Sequence, residues 1–471
     1  MNTLNFSSVL FLFFLFPISV VSYALANLLF RRNIAVLNLL LCLLSLVFYR
    51  VAGRQALLVV LGLVFGNYLL GYVARMTHRV FAHIGIALDV LVLAVFKYPQ
   101  AIAAALGSAE PITALYPLGI SFIIFHCISY LADLPGAAER LPIRTEAGEF
   151  LSFAAYLLFF PKIMQGPIVR YADMRPELAE RSFTLEQVCS GCERILLGLA
   201  KKVLLADQLG ALVSAMPQPG HMDALTAWLG VAAYGLQLYF DFSGYSDMAL
   251  GLAEIFGFHF KENFRFPYLS RSVTEFWQRW HISLGSWFRE YVYIPLGGSR
   301  RGSVYLNLFI VFLLTGMWHG NTKIYICWGL AHGIVCVLER TPLYKRLQRR
   351  RWFPAVGWVY TTLVVFLGWL CFRLPDVSSF LLYLRDLLGL GAGERTFTWQ
   401  YFLTAKTMTL LLISVLGIFL CSREKLRALY RKAVERPLWV CLKYVLLAAL
   451  FALSYTAILS NGYTPFLYFQ Y

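Results

Sequence analysis

The sequence predicts an all-α polytopic membrane protein, and three observations carry that prediction. Of 471 residues, 59% are hydrophobic and only 14% charged, against about 25% charged in a soluble domain; the mean hydropathy is +0.65. Apolar runs approaching the roughly 17–25 residues of a membrane span recur from end to end. Basic residues gather between those runs, as they do in the short loops of polytopic proteins.

In chain order the runs lie near 9–30, 34–49, 56–73, 83–98, 115–133, 150–164, 192–214, 225–256, 303–319, 324–339, 353–374, 402–421 and 438–459. Several are short or interrupted, so about eleven transmembrane helices are expected, with re-entrant or interfacial helices making up the rest. Residues 1–8 carry no basic group and the first run lacks a cleavage site, so that run is expected to stay as a helix. Arg340, Lys345, Arg346, Arg349, Arg350 and Arg351 make one basic loop, and Arg423, Lys425, Arg427, Arg431, Lys432 and Arg436 another. Both are assigned to the cytoplasmic side. The two runs between them agree in parity and place loop 375–401 and the C-terminal tail outside. Arg31 and Arg32 put the end of the first run inside; Arg50 and Arg54 do not fit the scheme.

The net charge of +16 therefore reports membrane topology, and no nucleic-acid partner is expected. Nine scattered cysteines include one C-x-x-C, Cys189 to Cys192, with no second pair or nearby histidines for zinc. No metal site and no bound cofactor are expected. Gly62 and Gly66 form a G-x-x-x-G, read as a helix-packing element. No repeat, linker or phosphate-binding glycine loop appears, so residues 1–471 are expected to form one membrane domain with a motif-rich core at about 150–340.

Polar residues interrupt the apolar pattern at three places. Asp241, Ser243, Tyr245, Ser246 and Asp247 sit in "GLQLYFDFSGYSDMALGLAEIFGF", either at a helix end in the interface or on a polar cavity wall. Ser272 and Glu275 have capping-box spacing. A helix begun there puts Trp277, His281, Leu284 and Phe288 on one face, which suits an interfacial anchor as well as a functional surface. Finally, about 17 residues, roughly 25 Å of helix, lead from Arg301 to His319 in "GMWHGNTKIYICWGLAHG". The turn at Gly320, Asn321 and Thr322 is thus expected at membrane depth, lining a cavity. An imidazole at that tip suits general-base chemistry. His332, between Ala331 and Gly333, reads as structural.

Four stretches, "FFPKIMQGPIVRY" at 159–171, "YFDFSGYSDMALGLAEIFGF" at 239–258, "EFWQRWHISLGSWFREYVYIPLGG" at 275–298 and "MWHG" at 317–320, resemble the membrane-bound O-acyltransferases. They are most similar to the bacterial branch containing alginate O-acetyltransferase, D-alanyl transferase and peptidoglycan transferase membrane subunits. The resemblance implies a ring of about eleven helices around a tunnel where a cytoplasmic acyl thioester meets an extracytoplasmic acceptor. It maps the essential histidine onto His319 and the second onto His281. His126 stands where glutamine is expected.

On this resemblance His319 accepts the acceptor's proton and His281 orients thioester or acceptor. Tyr239, Asp241, Ser243, Trp277, Trp280, Trp318 and Asn321 are candidates for the tunnel wall. Cys327 is set aside as an acyl carrier because it is placed on a packed span. The tail "PFLYFQY" resembles a terminal aromatic motif of the branch, making Tyr468 a candidate acyl relay, with an interfacial aromatic belt as the alternative. The implied function is transfer of acetyl from acetyl-CoA across the bacterial inner membrane to an exported or cell-wall polysaccharide, with a periplasmic acetyltransferase partner. The alternatives are another acyl group, such as D-alanyl from a carrier protein, and a transporter or scaffold of polysaccharide export.

Overall fold

The computed structural model describes residues 6–30, 32–107, 119–134, 146–391, 393, 397–461, 466 and 467. Every regular element among them is helical. Seven helices are long and apolar enough to cross a membrane: Phe11–Leu29, Ile34–Val51, Leu57–Met76, Val80–Lys97, Phe353–Arg373, Ala405–Ser422 and Pro437–Ser460. Four shorter apolar helices, Ile120–Asp133, Ala147–Leu158, Val304–His319 and Lys323–Leu338, join them. Leucines such as Leu28, Leu58, Leu412 and Leu453 are exposed, as lipid-facing positions require. The protein is a multi-pass membrane protein.

The chain divides into two compact units, residues 1–195 with 245–262, and 196–244 with 263–471. In the first, the helices are tied by polar bonds ranging from buried to exposed. Arg181 donates to the Tyr23 hydroxyl (2.8 Å) and to Asn38 Oδ1 (2.7 Å), while the Asn38 amide donates to the Leu178 carbonyl (3.0 Å). Asp247 takes Arg194 (3.1 Å), which also meets Glu262 (2.6 Å). His126 is fixed at both ring nitrogens: Val169 N–H donates to Nε2 (3.2 Å), so Nδ1 carries the proton given to the Phe122 carbonyl (2.6 Å). A histidine can thus stand here as a backbone clamp for the segment 159–171. Gly62 and Gly66 make no close approach among the described residues, so the expected packing role falls away.

The first unit has its own close helix contact, where a Cβ on Gly191 would stand 2.5 Å from the Gly251 carbonyl, and the second unit holds another beside the candidate histidine. Gly316 and Gly329 face each other on Val304–His319 and Lys323–Leu338. A Cβ on Gly316 would stand 2.6 Å from the Tyr325 carbonyl, and one on Gly329 would strike the Phe312 carbonyl. Small residues let the two backbones approach, and the short turn between them carries His319 at the end of its helix.

The helix expected to run on from Ser272 is broken. Ser272 Oγ accepts from Glu275 N–H (3.0 Å), while the Glu275 carboxylate reaches Arg271 N–H (2.8 Å) in place of the cap residue's own amide. The helix ends at Trp277, and a second one starts at Ile282. Between them His281 has φ +45°, a left-handed conformation that costs about 1–2 kcal/mol for a residue with a side chain. Asn263 accounts for it. Its carbonyl accepts Ile282 N–H (2.9 Å), and its Oδ1 accepts Ser283 N–H (3.2 Å) and Ser283 Oγ–H (2.9 Å). These bonds hold the turn open against helical propensity.

Candidate active site

His281 and His319 line one cavity of about 550 Å³ in the second unit. Both side chains are buried. His319 ends its helix, and the ring stands edge-on to Trp328 (5.0 Å between centroids, 90°) and to Phe372 (4.9 Å, 88°). The aromatic walls fix the imidazole plane. The C-cap Gly320 is extended, which turns the chain away at once and leaves the histidine at the tip.

His281 is set by a different device. Its Nδ1 lies 3.2 Å from Asn263 Oδ1, an oxygen already assigned as an acceptor by Ser283 N–H. Nδ1 therefore donates, and Nε2 keeps its lone pair. The ring packs edge-on to Phe242 at 4.7 Å. The left-handed backbone and the Asn263 contacts together define ring position and tautomer.

Aromatic side chains build the wall around the pair. Trp277, Trp280 and Trp369 line the cavity, with the Trp280 and Trp369 rings 4.8 Å apart and tilted by 40°. Trp369 Nε1–H donates to the Tyr268 hydroxyl (3.1 Å), which donates to the Gly235 carbonyl (2.5 Å). Arg289, Ser299 and Arg340 add a polar and cationic portion to the lining. Glu339, next to Arg340, accepts Val273 N–H (2.6 Å) and Thr274 N–H (2.8 Å), so its carboxylate is spent on the first turn of the helix that carries Trp277.

The other sequence candidates lie elsewhere. Tyr239 is buried against Tyr268 (5.3 Å) and Trp280 (6.2 Å), behind the wall. Trp318 is buried beside His319, and Ser243 is buried on the helix Ala224–Ile255. Asn321 is exposed in its turn. None of these four is among the lining residues. His332 packs between Trp277 (5.3 Å) and Trp328 (5.1 Å), in keeping with a structural residue. Cys327 is exposed and not packed as expected, and it is also absent from the lining. Tyr468 lies outside the described residues.

Asp241 has a separate surrounding. It is buried in an ion cluster: Lys202 Nζ lies 2.7 Å from Asp241 Oδ1 and 2.7 Å from Asp207 Oδ1. The second oxygen of Asp241 accepts the N–H of Leu467 (3.0 Å), and the ring of Phe466, fully buried, covers Lys202 Nζ at 4.6 Å. The buried Asp241 carboxylate is thus matched by the Lys202 ammonium and a backbone donor, while the second carboxylate on Lys202, Asp207, is 15% exposed and keeps part of its solvation. Sequence reasoning missed Lys202. Its signal was a lysine and an aspartate inside the apolar run 192–214, where ionisable groups call for partners.

Comparison with known proteins follows the same segments. Residues 118–384 match the membrane-bound O-acyltransferase family. The chain is 35% identical to a probable alginate O-acetylase, AlgI, of Pseudomonas putida, over 99% of this chain and all of that protein. It is 31% identical to a peptidoglycan O-acetyltransferase of Helicobacter pylori, over 82% of this chain and 80% of that one. To a teichoic acid D-alanyltransferase of Bacillus subtilis it is 28% identical, over 54% of this chain and 67% of that one.

Proposed function

The chain belongs to the membrane-bound O-acyltransferase family, and from that premise we propose that it transfers acetyl from acetyl-CoA to an exported or cell-wall polysaccharide, using His319 as the general base. It is an O-acyltransferase. The observation that carries the reading is the single cavity lined by both His281 and His319.

In the proposed step the acceptor hydroxyl attacks the thioester carbonyl carbon. Its proton passes to the His319 ring, the C–O bond forms, the C–S bond breaks and the thiolate leaves with the proton returned from His319. A positioned base of this kind contributes about 10²–10⁴-fold. His281 Nε2, with its lone pair retained, accepts a hydrogen bond from the donor's amide or from the acceptor hydroxyl and so sets the angle of attack. Trp277, Trp280 and Trp369 exclude water, which suppresses hydrolysis of the thioester. Arg289 and Arg340 supply two cations for the donor's phosphates.

Acetyl as the cargo is supported by the acetylase names of the alginate and peptidoglycan relatives. The polymer is chosen by a partner in this reading, a periplasmic acetyltransferase acting at the bacterial inner membrane. Tyr468, one residue beyond the anchored Leu467, is placed in it as the acyl relay. Mass analysis of the ester formed on the polymer tests the cargo: acetyl esters are expected, and D-alanyl esters would reassign the chain to the transfer named for its teichoic acid relative.

A further inference from the structure

The second unit also holds a groove unrelated to the histidine cavity. It measures about 780 Å³, within the roughly 300–1,000 Å³ of small-molecule sites. The helices Glu424–Ala433 and Pro437–Asn461 form most of it, and Leu197 contributes from a third helix.

Its two ends differ in character. At one end stand Lys432 and Arg436. Segment 423–436 carries six basic residues against two acidic ones, and Glu424 is already held by Arg427 (2.6 Å) and Arg431 (2.6 Å). Lys432 and Arg436 have no ion-pair partner among the described residues. Beyond Lys443, a third lining cation, the lining becomes Leu446, Leu447 and Leu450, with Leu442 beside them; Leu446 is 55% exposed. Trp439 lies between the two zones, the position an interfacial tryptophan takes at headgroup level. From Arg436 to Leu450 the helix rises about 21 Å, close to one leaflet with its headgroups, half of the roughly 40–45 Å bilayer.

We propose that this groove binds one anionic phospholipid, its phosphate on Lys432 and Arg436 and an acyl chain along Leu442, Leu446 and Leu450. The basic segment draws anionic lipid to this face, and the open apolar trough gives a chain a surface to lie along. A zwitterionic lipid fills the trough equally well but brings no net charge for the two cations.

Native mass spectrometry of the purified full chain tests this, with phosphatidylglycerol and phosphatidylcholine of identical chains added in equal amounts. The wild type is expected to keep one phosphatidylglycerol about tenfold over phosphatidylcholine at low salt. The double variant Lys432→Ala, Arg436→Ala should lose that preference, and the swap Lys432→Arg, Arg436→Lys should keep it. Thermal unfolding of each variant establishes that it is folded. Equal retention of the two lipids by wild type would overturn the proposal. So would an unchanged preference in the folded double variant, or a lipid-free dimer as the main species.

Discussion

The backbone N–H of Leu467 is hydrogen-bonded to the carboxylate of Asp241, 226 residues earlier in the chain, at 3.0 Å. The other Asp241 oxygen holds Lys202 at 2.7 Å. The carboxylate therefore joins a buried ion cluster to the C-terminal tail, two residues of which, Phe466 and Leu467, rest on it.

Removing the cation should be costly. Lys202→Met leaves the buried Asp241 and the partly buried Asp207 without their counter-charge, and stranding a buried charge costs about 3–5 kcal/mol. A clear fall in thermal unfolding temperature is expected in detergent, partly recovered when Asp207→Asn and Asp241→Asn are added. An unchanged unfolding temperature for Lys202→Met would contradict the role given to the cluster.

At His281 the backbone and the ring can be separated. Asn adopts left-handed φ more readily than other non-glycine residues, so His281→Asn should fold at near wild-type stability while losing about tenfold or more in kcat. His281→Ala should lose stability as well as rate. Wild-type turnover by a folded His281→Asn would show that the ring has no part in transfer.

Donor binding is tested at the cationic part of the cavity. Arg289→Ala and Arg340→Ala should each raise KM for acetyl-CoA by roughly tenfold with little change in kcat, the pattern of a lost binding contact made equally in ground and transition states. A fall in kcat at constant KM would place these guanidinium groups in the chemical step.

Much of this was readable in the sequence, and the parts that were not share a cause. Composition and apolar runs located the helices because lipid imposes one rule on every span. His319 was visible as a titratable ring at a glycine turn in an apolar stretch. Asn263, Glu339 and Lys202 were not identified, because each acts on residues at least 18 positions away, His281, Thr274 and Asp241, and no local period records such a pairing. The same limit explains the helix expected through His281. Its spacing fits a helix, yet the Asn263 bonds to Ile282 and Ser283 outweigh that preference. Asp241 was legible as a buried carboxylate, but its partner, and so its duty as an anchor, was not.

The tail offers a prediction of a different kind. Tyr468→Phe retains the ring and the Asp241 anchor but removes the hydroxyl that would carry acetyl. Polymer acetylation should fall while acetyl-CoA binding, followed by competition with a labelled donor, stays at the wild-type level. Undiminished polymer acetylation would remove the relay and leave the tyrosine as an interfacial ring.

The central claim is that acyl transfer depends on the imidazole of His319. Acetyl release from labelled acetyl-CoA by the purified protein in liposomes, wild type beside a folded His319→Ala, measures this most directly. A loss of about 10²-fold or more is predicted, the contribution of a positioned general base. Equal turnover by the two proteins would contradict it.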